Sequence, residues 1–412
     1  MGFSRRRQLT TIVPMNKTIN KINWLTYAAL MSLALGLFTS MTFLALNHIF
    51  IIWPILYFLT KTDFKKINKS SWCLLAMGLV FILSVLVNQD IASQGYSPIS
   101  KTKYYFLAVI MIAPISYYFK TLDPEIKTKK INGLILAFLI TATLAGIAGI
   151  YGMKTGFNPL KWSKVNTDRN SGLAGMVLNY AHNLAFFQVI ITGLIFYRNE
   201  IKKYINLIFL YIIWAFNLIA LVMTYTRGAI LAFVVAIPFY FLKKNKKIFV
   251  ATGAVLLIIT SLTYKLLGEL ILRGGSDIER LSQWRAALAG FKERPIFGFG
   301  YLNFESQSIP LKLKYGIEAS YYGGHAHNNY LEALASTGIF GFLLFMLWQI
   351  FWLVEMYKRD DLIAKLAIPF IVAFIVSGQT QATFTLGANL FFIMSVYTLT
   401  QLNFDIVNEK AI

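Results

Sequence analysis

Gly324-His325-Ala326-His327-Asn328-Asn329-Tyr330-Leu331-Glu332, carried on to Gly338, closes a long polar segment and runs straight into an apolar run ending near Trp352. Two of the chain's four histidines sit in it, beside an asparagine pair and a glutamate. Imidazole is the side chain that takes and gives protons near neutral pH. A histidine pair where water meets lipid is therefore a candidate for chemistry.

The apolar run that follows is one of many. The chain has 412 residues, 57% hydrophobic and 14% charged, whereas a soluble protein carries about a quarter charged residues. Its mean hydropathy is +0.59. Runs of membrane-crossing length lie near 22–40, 42–59, 72–88, 104–119, 132–153, 172–197, 204–223, 227–242, 248–268, 331–354, 363–381 and 384–402, about twelve in all. The expected fold is an all-α polytopic integral membrane protein. Residues 1–412 form one membrane domain, with spans over about 22–268 and 331–402 and a large external helical loop, 269–330, between spans nine and ten.

The net charge of +21 would suit nucleic acid. Lys and Arg instead collect in short segments between apolar runs, the signature of cytoplasmic loops, and no basic groove accompanies them, so no nucleic-acid partner is expected. These segments are the N-terminal tail with Arg5-Arg6-Arg7, Lys61–Lys69, Lys120–Lys130, Arg198–Lys203 and Lys243–Lys247. An even span count returns the C-terminus to the same side. Lys154–Arg169 is basic yet falls outside, where it would suit an anionic partner. The first apolar run is too long for a removed signal peptide and reads as a retained span. The single cysteine, Cys73, lies within an apolar run, which excludes an intramolecular disulfide and a cysteine metal cluster.

The external loop carries its own helix, about 277–293, with Ile278, Leu281, Trp284, Leu288 and Phe291 at helical spacing and Pro295, Gly298 and Gly300 ending it. Such an amphipathic helix would lie on the membrane surface or cap a cavity.

Arg227, after Thr224-Tyr225-Thr226, sits at the outer end of span eight. It reads either as a snorkelling interfacial cation or as an anion-binding fork suited to phosphate oxygens. Arg285 on the external helix would join it if that helix folds back over the bundle. Arg280 is a weaker candidate for the same duty, and Arg169, at the start of span six, a third. His327 is the best general-base candidate, with Asn328 and Glu332 in reach and His325 as a support. His182, in Asn179-Tyr180-Ala181-His182-Asn183, is intramembrane and polar-flanked, which suits a cavity wall. His48 reads as structural. No Gly-x-x-x-x-Gly-Lys loop points to nucleotide-driven transport, and no cluster of external aspartates offers a hard-cation site, so no metal or cofactor is expected.

Four features resemble the bacterial O-antigen ligase/polymerase family. Thr224–Leu231 looks like its Arg-x-x-x-Leu motif at the start of a span. Arg280-Leu281-Ser282-Gln283-Trp284-Arg285, continuing to Pro295 and Gly300, looks like the external helix and its glycine exit. His327-Asn328, followed by Gly338 and Gly341, looks like the ligase histidine motif. The fourth feature is the large outer loop before the last three spans. The resemblance runs from about residue 170 onward and is nearest to the ligases. It implies a GT-C-like glycosyltransferase architecture in the bacterial inner membrane, with the loop in the periplasm and both termini cytoplasmic. The implied donor is an undecaprenyl-pyrophosphate-linked glycan and the implied acceptor lipid A–core. Arginines would bind the pyrophosphate without a metal, His327 would act as base, and the anomeric carbon would invert. Polymerases extending lipid-linked repeats and protein O-oligosaccharyltransferases are the alternatives within the resemblance. A lipid-linked glycan transporter is the alternative from another class. The stretch Gly378-Gln379-Thr380-Gln381 matches no diagnostic acceptor site.

Overall fold

The computed structural model describes residues 17–173, 175–202, 204–271, 274–319, 321–385 and 387–407, without the side chains of 41, 260–271 and 274–276. Arg5-Arg6-Arg7, Lys203 and residues 408–412 lie outside the described residues. The helices run α1 (Lys17–Gly36), α2 (Met41–Leu59), α3 (Lys69–Val87), α4 (Ile99–Ile110), α5 (Ile112–Thr121) and α6 (Pro124–Thr155). A short hairpin, β1 (Phe157–Asn158) and β2 (Ser163–Lys164), follows. Then come α7 (Val177–Phe196), α8 (Arg198–Ile201), α9 (Leu207–Val222), α10 (Arg227–Ala236) and α11 (Lys246–Ile271). The chain ends with α12 (Gly274–Glu293), α13 (Phe304–Lys314), α14 (Asn329–Lys358), α15 (Leu362–Ser377) and α16 (Gly387–Thr400).

Helices are what apolar runs must form in lipid, where no water satisfies an open backbone. Their starts are set locally. Asp123, Asn206, Asn328 and Asp361 each turn a side-chain oxygen onto the first backbone N–H groups of α6, α9, α14 and α15. Among the described residues, five helices are long and apolar enough to cross a membrane: Thr42–Leu59, Lys69–Val87, Pro124–Thr155, Val177–Phe196 and Asn329–Lys358. Four more apolar helices, Leu207–Val222, Arg227–Tyr240, Leu362–Ser377 and Gly387–Thr400, are shorter. The run expected at 104–119 is divided at Met111 into α4 and α5. The chain is a polytopic, all-helical membrane protein.

Packing between helices in lipid rests on close fit and buried hydrogen bonds, since lipid tails are as apolar as leucine. Trp348 and Trp352 stack at 5.3 Å in the middle of the bundle, with Phe374 and Tyr397 edge-on. Asn389 donates to Asn183 at 2.7 Å between α16 and α7.

The two ends of the bundle differ. At one end, Lys66 donates to the Asp405 carbonyl, Lys120 lies 3.7 Å from the Asp405 carboxylate and Lys365 lies 3.7 Å from Glu200. Lys243 is hydrogen-bonded there to the Arg359 carbonyl. At the other end the long polar segment meets the α3–α4 loop: Arg294 contacts Asn88 at 2.6 Å and Asp90 at 3.2 Å, and Asn303 accepts from Ser93.

That segment is stitched to α14 through two glycines. Gly338 has φ 65° and ψ −163°, which breaks α14 after its first two turns. The break frees Ile339 N–H to donate to the Pro295 carbonyl at 2.8 Å, while Phe299 N–H donates to Ala335 O at 2.9 Å. A Cβ at Gly338 would strike the Ile296 carbonyl, and one at Gly298 (φ 60°) the Ala335 carbonyl. Only glycine allows both the backbone angle and the approach.

α12 packs on α14 and α13 through a face of small and polar residues, with Ser282, Gln283, Ala286 and Ala287 buried. Of the apolar stripe, Ile278, Leu281 and Leu288 point outward and are exposed, while Trp284 and Phe291 are half-buried. The helix therefore lies with its small face toward the bundle.

Candidate active site

The turn after α15, Ser377 to Gln381, is where the pieces meet. Asn329 N–H donates to Gly378 O at 2.7 Å, its side-chain amide donates to Thr383 at 3.0 Å, and it accepts from Phe384 N–H at 2.9 Å. Asn328 caps α14 through Tyr330 N–H and Leu331 N–H, and its amide donates to Gln379 O at 3.3 Å. With the helix start held this way, the preceding residue must turn sharply. His327 adopts φ 49°, a left-handed angle rare outside glycine and asparagine. That turn carries its ring to Gln381, with Nδ1 2.7 Å from Oε1.

Glu332 is buried and takes no part on the open side. Its carboxylate accepts from Ala326 N–H at 2.8 Å and from Ser336 Oγ at 3.0 Å, so it fixes the His325–His327 loop from below. The His325 ring lies 4.2 Å from the His327 ring, and its Nε2 is 3.4 Å from Gln381 Nε2. Further back, the Tyr322 carbonyl accepts from buried Lys312 at 2.8 Å and from Gln283 at 3.2 Å, tying the loop to α13 and α12.

Burial is the main reason His327's proton affinity falls to about 4, below the ordinary imidazole range; the neighbouring His325 and Arg280 add to it, against the Gln381 hydrogen bond. His327 is therefore neutral at neutral pH, as a base must be.

Arg227 opens α10 and pairs with Asp277 of α12 at 2.9 Å, both side chains a little over one-third exposed. Arg280, one turn beyond Asp277, is half-buried within electrostatic reach of Arg227, Asp277, His327 and His182. Burial first, and the Arg227 charge second, lower its own proton affinity, with Asp277 and Tyr322 opposing. Asp277 is thus ion-paired with Arg227 and acts on Arg280 through its charge, and Arg280 acts in the same way on His327. Gly228 brings α10 onto the same turn, since a Cβ there would strike Thr380.

Two expectations change here. Arg285 is exposed, with no hydrogen bond or ion pair to a described residue, and does not join Arg227. The reason is helical phase: Arg280 shares the face of Gln283 and Ala287, and five further residues turn Arg285 well away from it. Arg169 is engaged behind Arg227. Its guanidinium donates to Thr224 O and Thr226 Oγ1, both at 2.8 Å, and braces the turn that presents Arg227. Within that turn Tyr225 has φ 48°.

His182 is buried on α7 with Nδ1 2.6 Å from Ser377 Oγ, so it supports the central turn from the bundle side. Gln381, Ser377 and Asp277 were missed in the sequence. The glutamines at 379 and 381 between two apolar runs, and an acid three residues before Arg280, were the available signals. Among the described residues no three His, Cys, Asp or Glu side chains converge as metal ligands.

Residues 207–346 match the family model described as O-antigen ligase. The match covers about a third of the chain, and that stretch is similar to the O-antigen ligase family. A search of the curated proteins found no match. The matched stretch holds Arg227, Asp277, Arg280, His327 and Glu332, whereas Arg169 and His182 precede it and Gln381 follows.

Proposed function

We propose that this chain is a glycosyltransferase that moves O-antigen polysaccharide from undecaprenyl pyrophosphate to a sugar hydroxyl of lipid A–core. The observation that carries the reading is His327 within electrostatic reach of Arg280, which follows the Arg227–Asp277 ion pair by one helical turn. The donor's pyrophosphate would displace Asp277 from Arg227 and draw on the charge of Arg280 as well. Their charge would stabilise the negative charge that grows as the sugar leaves. The acceptor oxygen attacks the anomeric carbon, the bond from that carbon to the pyrophosphate oxygen breaks, and the hydroxyl proton passes to His327. The departing carrier keeps the electron pair, and a single displacement inverts the carbon. Arginine takes the part a metal ion would play, so the reaction runs without one.

The same reading makes the chain a twelve-span protein of the bacterial inner membrane. α4 with α5, and α10 with the turn behind it, each count as one crossing. The segregation of the basic loops from the site end supports a periplasmic site and cytoplasmic termini. The outward stripe of α12 would rest on membrane lipid.

The test is a reconstituted assay offering lipid-linked glycan and lipid A–core in chelator, with the native chain and His327→Ala. Transfer to lipid A–core that the substitution abolishes is expected. Lengthening on the carrier alone would mean a polymerase, and transfer to a protein acceptor an O-oligosaccharyltransferase. Carrier binding with no transfer to any acceptor would mean a transporter. Native rates in His327→Ala would remove the base, and loss of rate in chelator, restored by a divalent ion, would remove the metal-free route.

A further inference from the structure

We propose that Gln381 is the positioning residue for His327: it holds the ring's proton on Nδ1 and leaves the Nε2 lone pair to the substrate. This rests on the reading of His327 as the base. Gln381 lies 35 residues beyond the matched stretch 207–346, in the turn that the sequence left without a role. Its side chain is buried, and both ends of its amide are used. Oε1 stands 2.7 Å from His327 Nδ1, and Nε2 stands 3.4 Å from His325 Nε2. A carbonyl oxygen only accepts, so Nδ1 of His327 must carry hydrogen. A neutral imidazole has one N–H, so its Nε2 is then the acceptor. An amide NH2 only donates, so His325 presents a lone pair at Nε2. One amide therefore sets the tautomers of two rings that lie 4.2 Å apart.

The backbone supports the arrangement from both sides. Gln381 N–H donates to Ser377 O at 3.1 Å, and Asn328 and Asn329 bind Gln379 O and Gly378 O of the same turn. The turn that carries Gln381 is thus tied to the start of α14, next to His327. The other groups near His327 are His325 on its own loop, Arg280 from α12 and Glu332 from α14. Arg227 and Asp277 lie behind Arg280, and His182 beneath Ser377. Glu332 turns both oxygens to Ala326 and Ser336. Gln381 is the direct hydrogen-bond partner of His327 Nδ1.

The experiment uses the full chain in detergent or liposomes and compares Gln381→Glu and Gln381→Met with the native protein. Gln381→Glu keeps the acceptor and adds a negative charge. It should raise the acid limb of the kcat/KM–pH profile by about one to three pH units, the range for an opposite charge at close contact. Gln381→Met removes the acceptor. Its kcat should fall about 10–100-fold, the range seen when a histidine's outer partner is removed in metal sites, with little change in donor KM. Imidazole nitrogen-15 spectra of the native protein read the tautomer directly and need no variant to fold. The Nδ1–H form of His327 is expected. An Nε2–H form, an acid limb unmoved by Gln381→Glu, or native kcat in Gln381→Met would each overturn the assignment. If His327→Ala keeps native activity, the base reading itself fails, and the nitrogen-15 tautomer still decides the hydrogen bond.

Discussion

Arg280→Ala against Arg285→Ala is the sharpest comparison available on the external helix. Both residues stand in one run of six, Arg280 to Arg285, and composition does not separate them. Arg280 is half-buried between Arg227, Asp277 and the two histidines on the site side, while Arg285 is exposed. Removing a preorganised donor to developing charge costs about 2.7–4 kcal/mol, or about 10²–10³ in kcat. An exposed side chain away from any such feature changes matters by about 0.5 kcal/mol, roughly a factor of two. Arg280→Ala should therefore lose two to three orders of magnitude in initial rate with saturating donor, and Arg285→Ala should stay within about twofold. Arg280→Lys should recover part of the loss, because a point charge lacks the planar fork. Initial rates across donor concentrations, with thermal unfolding in detergent as a control for folding, make the measurement. A folded Arg280→Ala within threefold of native, or a hundredfold loss in Arg285→Ala, would refute the placement of the helix face.

Gly338→Ala should undock the external segment from α14, since its Cβ meets the Ile296 carbonyl and its φ of 65° suits glycine alone; a lowered unfolding temperature and faster proteolysis between α12 and α13 are the readouts. Strain at such an angle costs about 1–3 kcal/mol before the collision is counted. For pH, kcat/KM of the native chain should hold from neutrality to about pH 5 and fall as His327 protonates near 4. The same group works on stability in the same direction. Its folded value lies below the unfolded one, so the stability it contributes is present above about pH 6.5 and is lost as pH falls through about 4. A profile already falling at pH 6.5 would place the titrating base elsewhere.

Element type was readable because apolar length and polar interruption are one-dimensional properties. The helix expected at about 277–293 is found at Gly274–Glu293, and Asn328 begins α14 as an asparagine before an apolar run should. The face of α12 was not readable. A leucine–isoleucine stripe and an alanine–glycine stripe run side by side along it, and the ordinary rule favours burying the larger. In a membrane protein lipid takes the large side chains, and small ones let helices approach. That inversion turns Arg280 toward the site and leaves Arg285 exposed. The role of Arg169 was hidden for a different reason: its partners Thr224 and Thr226 lie 55 and 57 residues away. Gln381 is 54 residues from His327, and the glutamines at 379 and 381 do not by themselves name a partner that far away.

Tyr225 and His327, at φ 48° and 49°, hold the backbone in the left-handed region next to Arg227 and within the histidine loop. Each such residue stores about 1–3 kcal/mol. A campaign to make this chain more heat-resistant, scored on unfolding alone, would be drawn to both positions, and glycine or asparagine there would win. The winner at 327 would have no imidazole, and a relaxed 225 would free the turn that aims Arg227. Thermal ranking and catalytic ranking of variants should therefore run in opposite order at these two places, and a library scored on both would show it.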